Sequence, residues 1–151
     1  MRKTNFIFLT LLSLLTLASC SKKEEDASLI GRWEMFSQRI EIDTNDEVYA
    51  DAIKALNERN SALQVLIFRE DNTVSLKDPT GIYDRLYYSV DGNNLTISFP
   101  PQATVWSFEY SISGKTLTFY QDLTEAFQIA ASEIEELEIS KVTEVLKYKK
   151  K

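Results

Sequence analysis

Eight stretches of this chain alternate apolar and polar residues with a period of two, and turn residues punctuate them. In one, Trp106, Phe108, Tyr110 and Ile112 face one way while Ser107, Glu109 and Ser111 face the other. Leu95, Ile97 and Phe99 alternate with Thr96 and Ser98. Leu117 and Phe119 alternate with Thr116, Thr118 and Tyr120. Leu86, Tyr88 and Val90 oppose Arg85, Tyr87 and Ser89. Period two with one apolar face is the mark of half-buried antiparallel strands. The strands are expected at about 30–42, 63–70, 73–78, 82–90, 94–99, 104–112, 115–121 and 140–149.

Two segments change to a helical period. In 46–61, Tyr49, Ile53 and Leu56 share a stripe, with Val48 and Ala52 beside it, and Asp46 or Asn45 caps the start. In 122–137, Leu123, Phe127, Ala130, Ile134 and Leu137 repeat at spacings of four and three, with Asp122 and Glu125 placed as a capping box.

The connections also have an order. Asp71-Asn72, Asp91-Gly92-Asn93 and Ser113-Gly114 make tight hairpins after strands two, four and six. The connections after strands one, three, five and seven read as longer: a helix, Asp78 to Gly81, Pro100 to Ala103, and a second helix. In an up-and-down meander all four would share one rim, with the hairpins and both chain ends at the other. Eight strands can close and so remove their edges, and the interior then fills with side chains or holds one small ligand. The predicted fold is mostly β: an eight-stranded antiparallel up-and-down barrel with two added helices.

Ahead of the strands, Arg2 and Lys3 precede an apolar run of twelve residues from Phe6 to Leu17, broken only by Thr and Ser. That run is short of the roughly 20 residues a spanning helix needs. Small Ala18 and Ser19 then lead to Cys20, the only cysteine. Residues 1–19 read as a secretion signal. The cysteine at the cut resembles the lipobox of bacterial lipoproteins, which implies acylation of Cys20, as by palmitate, and an outer-membrane address. Residues 20–28 are polar and form a flexible tether. Within it, Lys23-Glu24-Glu25-Asp26 is similar to the surface-export signal of Bacteroidetes-type lipoproteins. The membrane is thus an expected partner, through acyl chains on Cys20. The folded domain is expected over 29–150.

Composition excludes much chemistry. The signal carries two basic side chains and no acid, so of the 17 basic and 23 acidic side chains 15 and 23 remain in residues 20–151, a net charge of −8. Nucleic acid, which needs a basic surface, is not an expected partner. There is no histidine, and lipidation consumes the cysteine. Ser-His and Cys-His nucleophile pairs, and His- or Cys-based metal sites, are thereby removed. Asp43-Thr44-Asn45-Asp46-Glu47 starts like a calcium loop but has Val48 where the turn glycine belongs. The four glycines form no phosphate-cradling loop. No catalytic residue, metal or cofactor is expected, and the chain is read as a non-enzyme.

Gly31-Arg32-Trp33 opens the first strand. A G-x-W there, in an eight-stranded barrel, resembles the lipocalins. The whole of 29–150 is similar to the lipocalin-like domains of Bacteroidetes lipoproteins, chiefly in Leu29–Trp33, Leu66–Val74 and Tyr88–Ile97. The resemblance implies Gly31 and Trp33 as a structural motif plugging the closed end. In lipocalins an Arg of the last strand covers that Trp, and here the last strand offers Lys147 and Lys149. Candidate ligand-binding residues are the inward aromatics Tyr88, Phe99, Trp106, Phe108, Tyr110 and Phe119, with Tyr49 and Phe127 near the long-loop rim. Two functions stay open. One is a module for a small apolar or amphipathic ligand, or a glycan fragment, at that rim. The other is an accessory or inhibitor protein with a filled barrel that docks a protein partner.

Overall fold

The computed structural model describes residues 28–60, 64–100 and 104–151. Cys20 and Lys23-Glu24-Glu25-Asp26 lie outside these described residues. Eight strands form one closed antiparallel barrel in sequential order. They are β1 (Gly31–Thr44), β2 (Val65–Phe68), β3 (Thr73–Asp78), β4 (Gly81–Asp91), β5 (Asn94–Phe99), β6 (Thr104–Ser113), β7 (Thr116–Asp122) and β8 (Ile139–Lys150). Helix α1 (Glu47–Asn60) joins β1 to β2, and α2 (Thr124–Ala130) joins β7 to β8. The predicted mostly-β, up-and-down barrel with two helices is the observed fold.

Closure comes from β1, which pairs with β2 over Gly31–Glu34 and with β8 from Trp33 to Thr44. The β1–β8 register skips Phe36, a bulge that leaves this ring exposed. Beyond it, Ile40 and Ile42 sit opposite Glu144 and Val142. The two strands thus run past the barrel as a ribbon on which the helices pack.

The closed end is built on Trp33, which has no exposed surface. Its indole Nε1 donates to the Leu29 carbonyl at 2.7 Å, satisfying a donor that burial would otherwise strand. Lys150, rather than Lys147 or Lys149, covers the ring, with Nζ 5.3 Å from its centre and donating to the Ser28 carbonyl at 3.0 Å. Gly31 makes room for this. Its φ of +128° disfavours a side chain, and a Cβ there would lie 3.1 Å from the Lys150 Cε. Phe68, Val74, Leu95 and Leu117 complete the plug, each at most 1 % exposed.

A second apolar cluster sits on the ribbon: Ala131, Ile139 and Val142, with Ile40, Ile42, Tyr49, Leu123, Phe127 and Leu137 against them. Asp46 caps α1, its Oδ1 accepting the Val48 and Tyr49 amides at 2.9 and 3.0 Å. Asn45 instead ties the ribbon to the segment after α2. Its Nδ2 donates to the Glu136 carbonyl at 2.7 Å, and its Oδ1 accepts the Glu138 amide at 2.8 Å.

Several expectations are corrected. The stripe of α1 runs through Tyr49, Ala50, Ile53 and Asn57, while Val48, Ala52 and Leu56 are exposed. Helix α2 ends at Ala130 instead of continuing to 137. The chain leaves it through 131–136, where Glu136 adopts φ +66°, outside helical space. The residue buried there is Ala131, and Ala130 and Ile134 face solvent. No reciprocal capping box forms: Asp122 accepts the Thr124 amide at 2.9 Å, but Leu123 holds the cap position. The β3–β4 connection is a two-residue turn, Pro79-Thr80, not a long loop. The Asp78 carboxylate ties it by accepting both the amide and the hydroxyl of Thr80, at 2.7 and 2.6 Å. The same Asp-x-Thr arrangement holds the β2–β3 turn through Asp71 and Thr73. Val90, at the hairpin end of β4, is exposed.

Replacing Trp33 with Ala removes the plug and should destabilise the domain by about 3–5 kcal/mol, the cost usual for a buried Trp. Urea denaturation measures it. An unchanged midpoint would contradict the packing described.

Candidate functional site

Above the plug the barrel is not filled. A cavity of about 280 Å³ occupies the half nearer the helices. The reason lies in residue size and position. The closed-end half receives Trp33 and Phe68, whereas the upper half receives mainly Leu66, Leu76, Leu86, Ile97 and Leu146. Aliphatic side chains leave the axis of an eight-stranded barrel partly open. Phe108 and Phe119 also line it, stacked with ring centres 5.0 Å apart.

The mouth is mixed in character. On one side stands Trp106, 38 % exposed although it lines the cavity, so the space opens to solvent there. Phe99 braces it edge-on, with centroids 4.3 Å apart. On the other side Gln64, Gln121, Glu144 and Tyr148 bring polar groups to the lining. The Tyr148 hydroxyl donates to Gln64 Oε1 at 2.9 Å. Burial first, and the Glu144 charge second, push its phenol far above the usual range, so it stays a neutral donor. Gln38 Nε2 donates to Glu144 Oε1 at 2.7 Å and to Asn57 Oδ1 at 3.4 Å, linking α1 to the mouth.

Of the eight predicted ligand residues, Trp106, Phe108 and Phe119 line the cavity, and Phe99 supports the first of them. Tyr88 and Tyr110 do not reach it. They pack against the core, Tyr88 edge-on to Phe68 and donating to the Arg69 carbonyl at 2.9 Å. Tyr49 and Phe127 belong to the ribbon cluster instead. Sequence reasoning misses Gln64, Gln121, Glu144 and Tyr148. A signal for two of them exists: Gln121 follows Phe119 by two, and Glu144 precedes Leu146 by two. Both are polar residues on an inward parity, which an entirely filled core would not tolerate.

A wider depression of about 640 Å³ lies on the outer face of β5 to β8 and β1. It is shallow, and Glu41, Glu109, Asp122 and Lys141 give it a solvent-facing polar lining. Among the described residues no cluster of acidic, His or Cys side chains is placed to hold a metal ion. No helix among them is long and apolar enough to cross a membrane.

Compared with protein-family models the sequence gives no match, and a search of curated proteins finds no relative. The functional reading therefore rests on the cavity itself.

The two tryptophans report on the two halves separately. In Trp106→Phe the remaining emission comes from Trp33 and should be blue-shifted, with acrylamide quenching reduced severalfold. Quenching equal to wild type would mean that Trp33, not Trp106, is the accessible ring.

Proposed function

We propose that this chain is a lipocalin-like binding module that takes one small amphipathic ligand into the barrel through the long-loop rim. The observation that carries this reading is the cavity with an apolar floor and a polar mouth. Its volume lies near the lower end of the range for small-molecule sites, about 300–1,000 Å³. The rival reading, an accessory or inhibitor protein docking a protein partner, requires a filled barrel, and the cavity weighs against it. The Trp33–Lys150 contact, seated over Gly31, supports kinship with lipocalin-like domains. Among the described residues the cavity's titratable groups are one carboxylate and one phenol, a set suited to binding rather than to acid–base turnover.

The same proposal includes the address. Acyl chains on Cys20 hold the protein to the bacterial outer membrane, and Lys23-Glu24-Glu25-Asp26 directs it to the cell surface. The described domain begins at Ser28 and Leu29, beside Trp33 and Lys150 at the closed end. A tether entering there turns the mouth away from the lipid, toward arriving ligand.

Two experiments bear on this. Ile97, 3 % exposed and on the cavity wall, can be enlarged. Ile97→Trp should abolish binding of an uncharged environment-sensitive dye such as N-phenyl-1-naphthylamine at one site per chain, while the protein stays folded by circular dichroism. Undiminished dye binding in the folded variant would place the binding surface elsewhere. Separately, Cys20→Ala should end palmitate incorporation and leave an unlipidated precursor. Equal labelling of variant and wild type would refute lipidation at Cys20.

A further inference from the structure

Glu144 is the feature of the cavity that packing alone does not require. It is half-buried, lies on the inward face of β8, and contributes to the lining. Among the described residues the lining holds no lysine or arginine, and none of the described ion pairs includes Glu144. Its partner is the neutral amide of Gln38. Basic residues beside it on β1 and β8 lie on the other face. Arg39 pairs with Glu41 at 2.6 Å, Lys141 lines the outer depression, and Lys147 falls on the outward parity of β8. A carboxylate only accepts hydrogen bonds, so whatever meets it in the cavity must donate. The same lining carries the rings of Trp106, Phe108, Phe119 and Tyr148. Aromatic faces attract cations through their quadrupole.

We propose that the cavity selects an organic cation, an amphipathic amine whose apolar body fills the barrel while its ammonium group meets Glu144 at the mouth. This deepens the binding-module reading and rests on it. The acidic chain, with a formal charge of −6 over all 151 residues, draws cations toward the opening and repels carboxylate-headed amphiphiles such as fatty acids. An alcohol of the same chain length would bury its body equally well but forgo the charge-assisted bond.

Isothermal titration of the purified chain at neutral pH and low salt, with octylamine, octan-1-ol and octanoate, separates the terms. The expected order is amine, then alcohol, then carboxylate, with the amine about tenfold or more tighter than the alcohol. In Glu144→Gln the amine-to-alcohol ratio should fall close to one, and Glu144→Asp should keep a reduced preference. An alcohol that binds wild type as tightly as the amine, or a preference that survives in folded Glu144→Gln, overturns the charge selection and leaves the cavity reading standing. If none of the three binds wild type, the cavity reading falls with it. Should Glu144→Gln fail to fold, the wild-type ratio of amine to alcohol decides the matter alone.

Discussion

Everything in this molecule depends on one long-range pairing, that of β1 with β8. It joins residues at opposite ends of the described chain, Trp33 with Lys150 and Thr44 with Ile139. Without it, both strands would present unpaired edges, and the barrel would open into a sheet with a half-exposed core. Closing so large a loop costs chain entropy, and the closed end supplies the burial that offsets it. Trp33 sits on the seam itself, so the strand that closes the barrel also delivers its largest plug. Lys150 comes from the other strand of the seam and lies over that ring.

The seam does a second job by being longer than the barrel wall needs. Past the Phe36 bulge, β1 and β8 continue as a ribbon, and Ile40, Ile42, Ile139 and Val142 give the two helices an apolar floor. The helices therefore pack beside the mouth rather than sinking into the barrel. The upper interior is left to aliphatic side chains and a few polar groups, and a cavity results. Gln38, on the seam, joins Asn57 of α1 to Glu144 and so couples the helix position to the mouth. A ligand entering there would meet a site held by rigid strands on one side and by a helix on the other.

The strands are legible in the sequence because one buried face imposes a period of two, and nearly every expected span matches an observed strand. The helices are less so. A stripe such as Leu123 to Leu137 satisfies helical spacing, yet the apolar residues find their partners on the ribbon after α2 has ended at Ala130. Likewise Leu56 looks buried by spacing and is exposed, because the floor beneath α1 lies under Tyr49, Ala50 and Ile53. Parity tells which residues point inward, but not how far along the axis each one sits. Tyr88 and Tyr110 share parity with Trp106 and Phe108, yet they belong to the closed half. Lys150 was legible by the same rule, since it continues the inward series Glu144, Leu146 and Tyr148. Glu144 itself is a charged residue on an inward parity, and reading inwardness through apolar residues alone passes over it.

The central claim is that one half of the barrel is packed and the other hollow. Methyl NMR of the protein under xenon pressure tests it without assuming any ligand, because xenon enters apolar cavity space such as the aliphatic floor. The account predicts pressure-dependent shifts in the methyls of Leu66, Leu76, Leu86, Ile97 and Leu146, and none in Leu95 or Leu117 beside Trp33. Silent methyls in the first group, or shifts confined to the second, would contradict it.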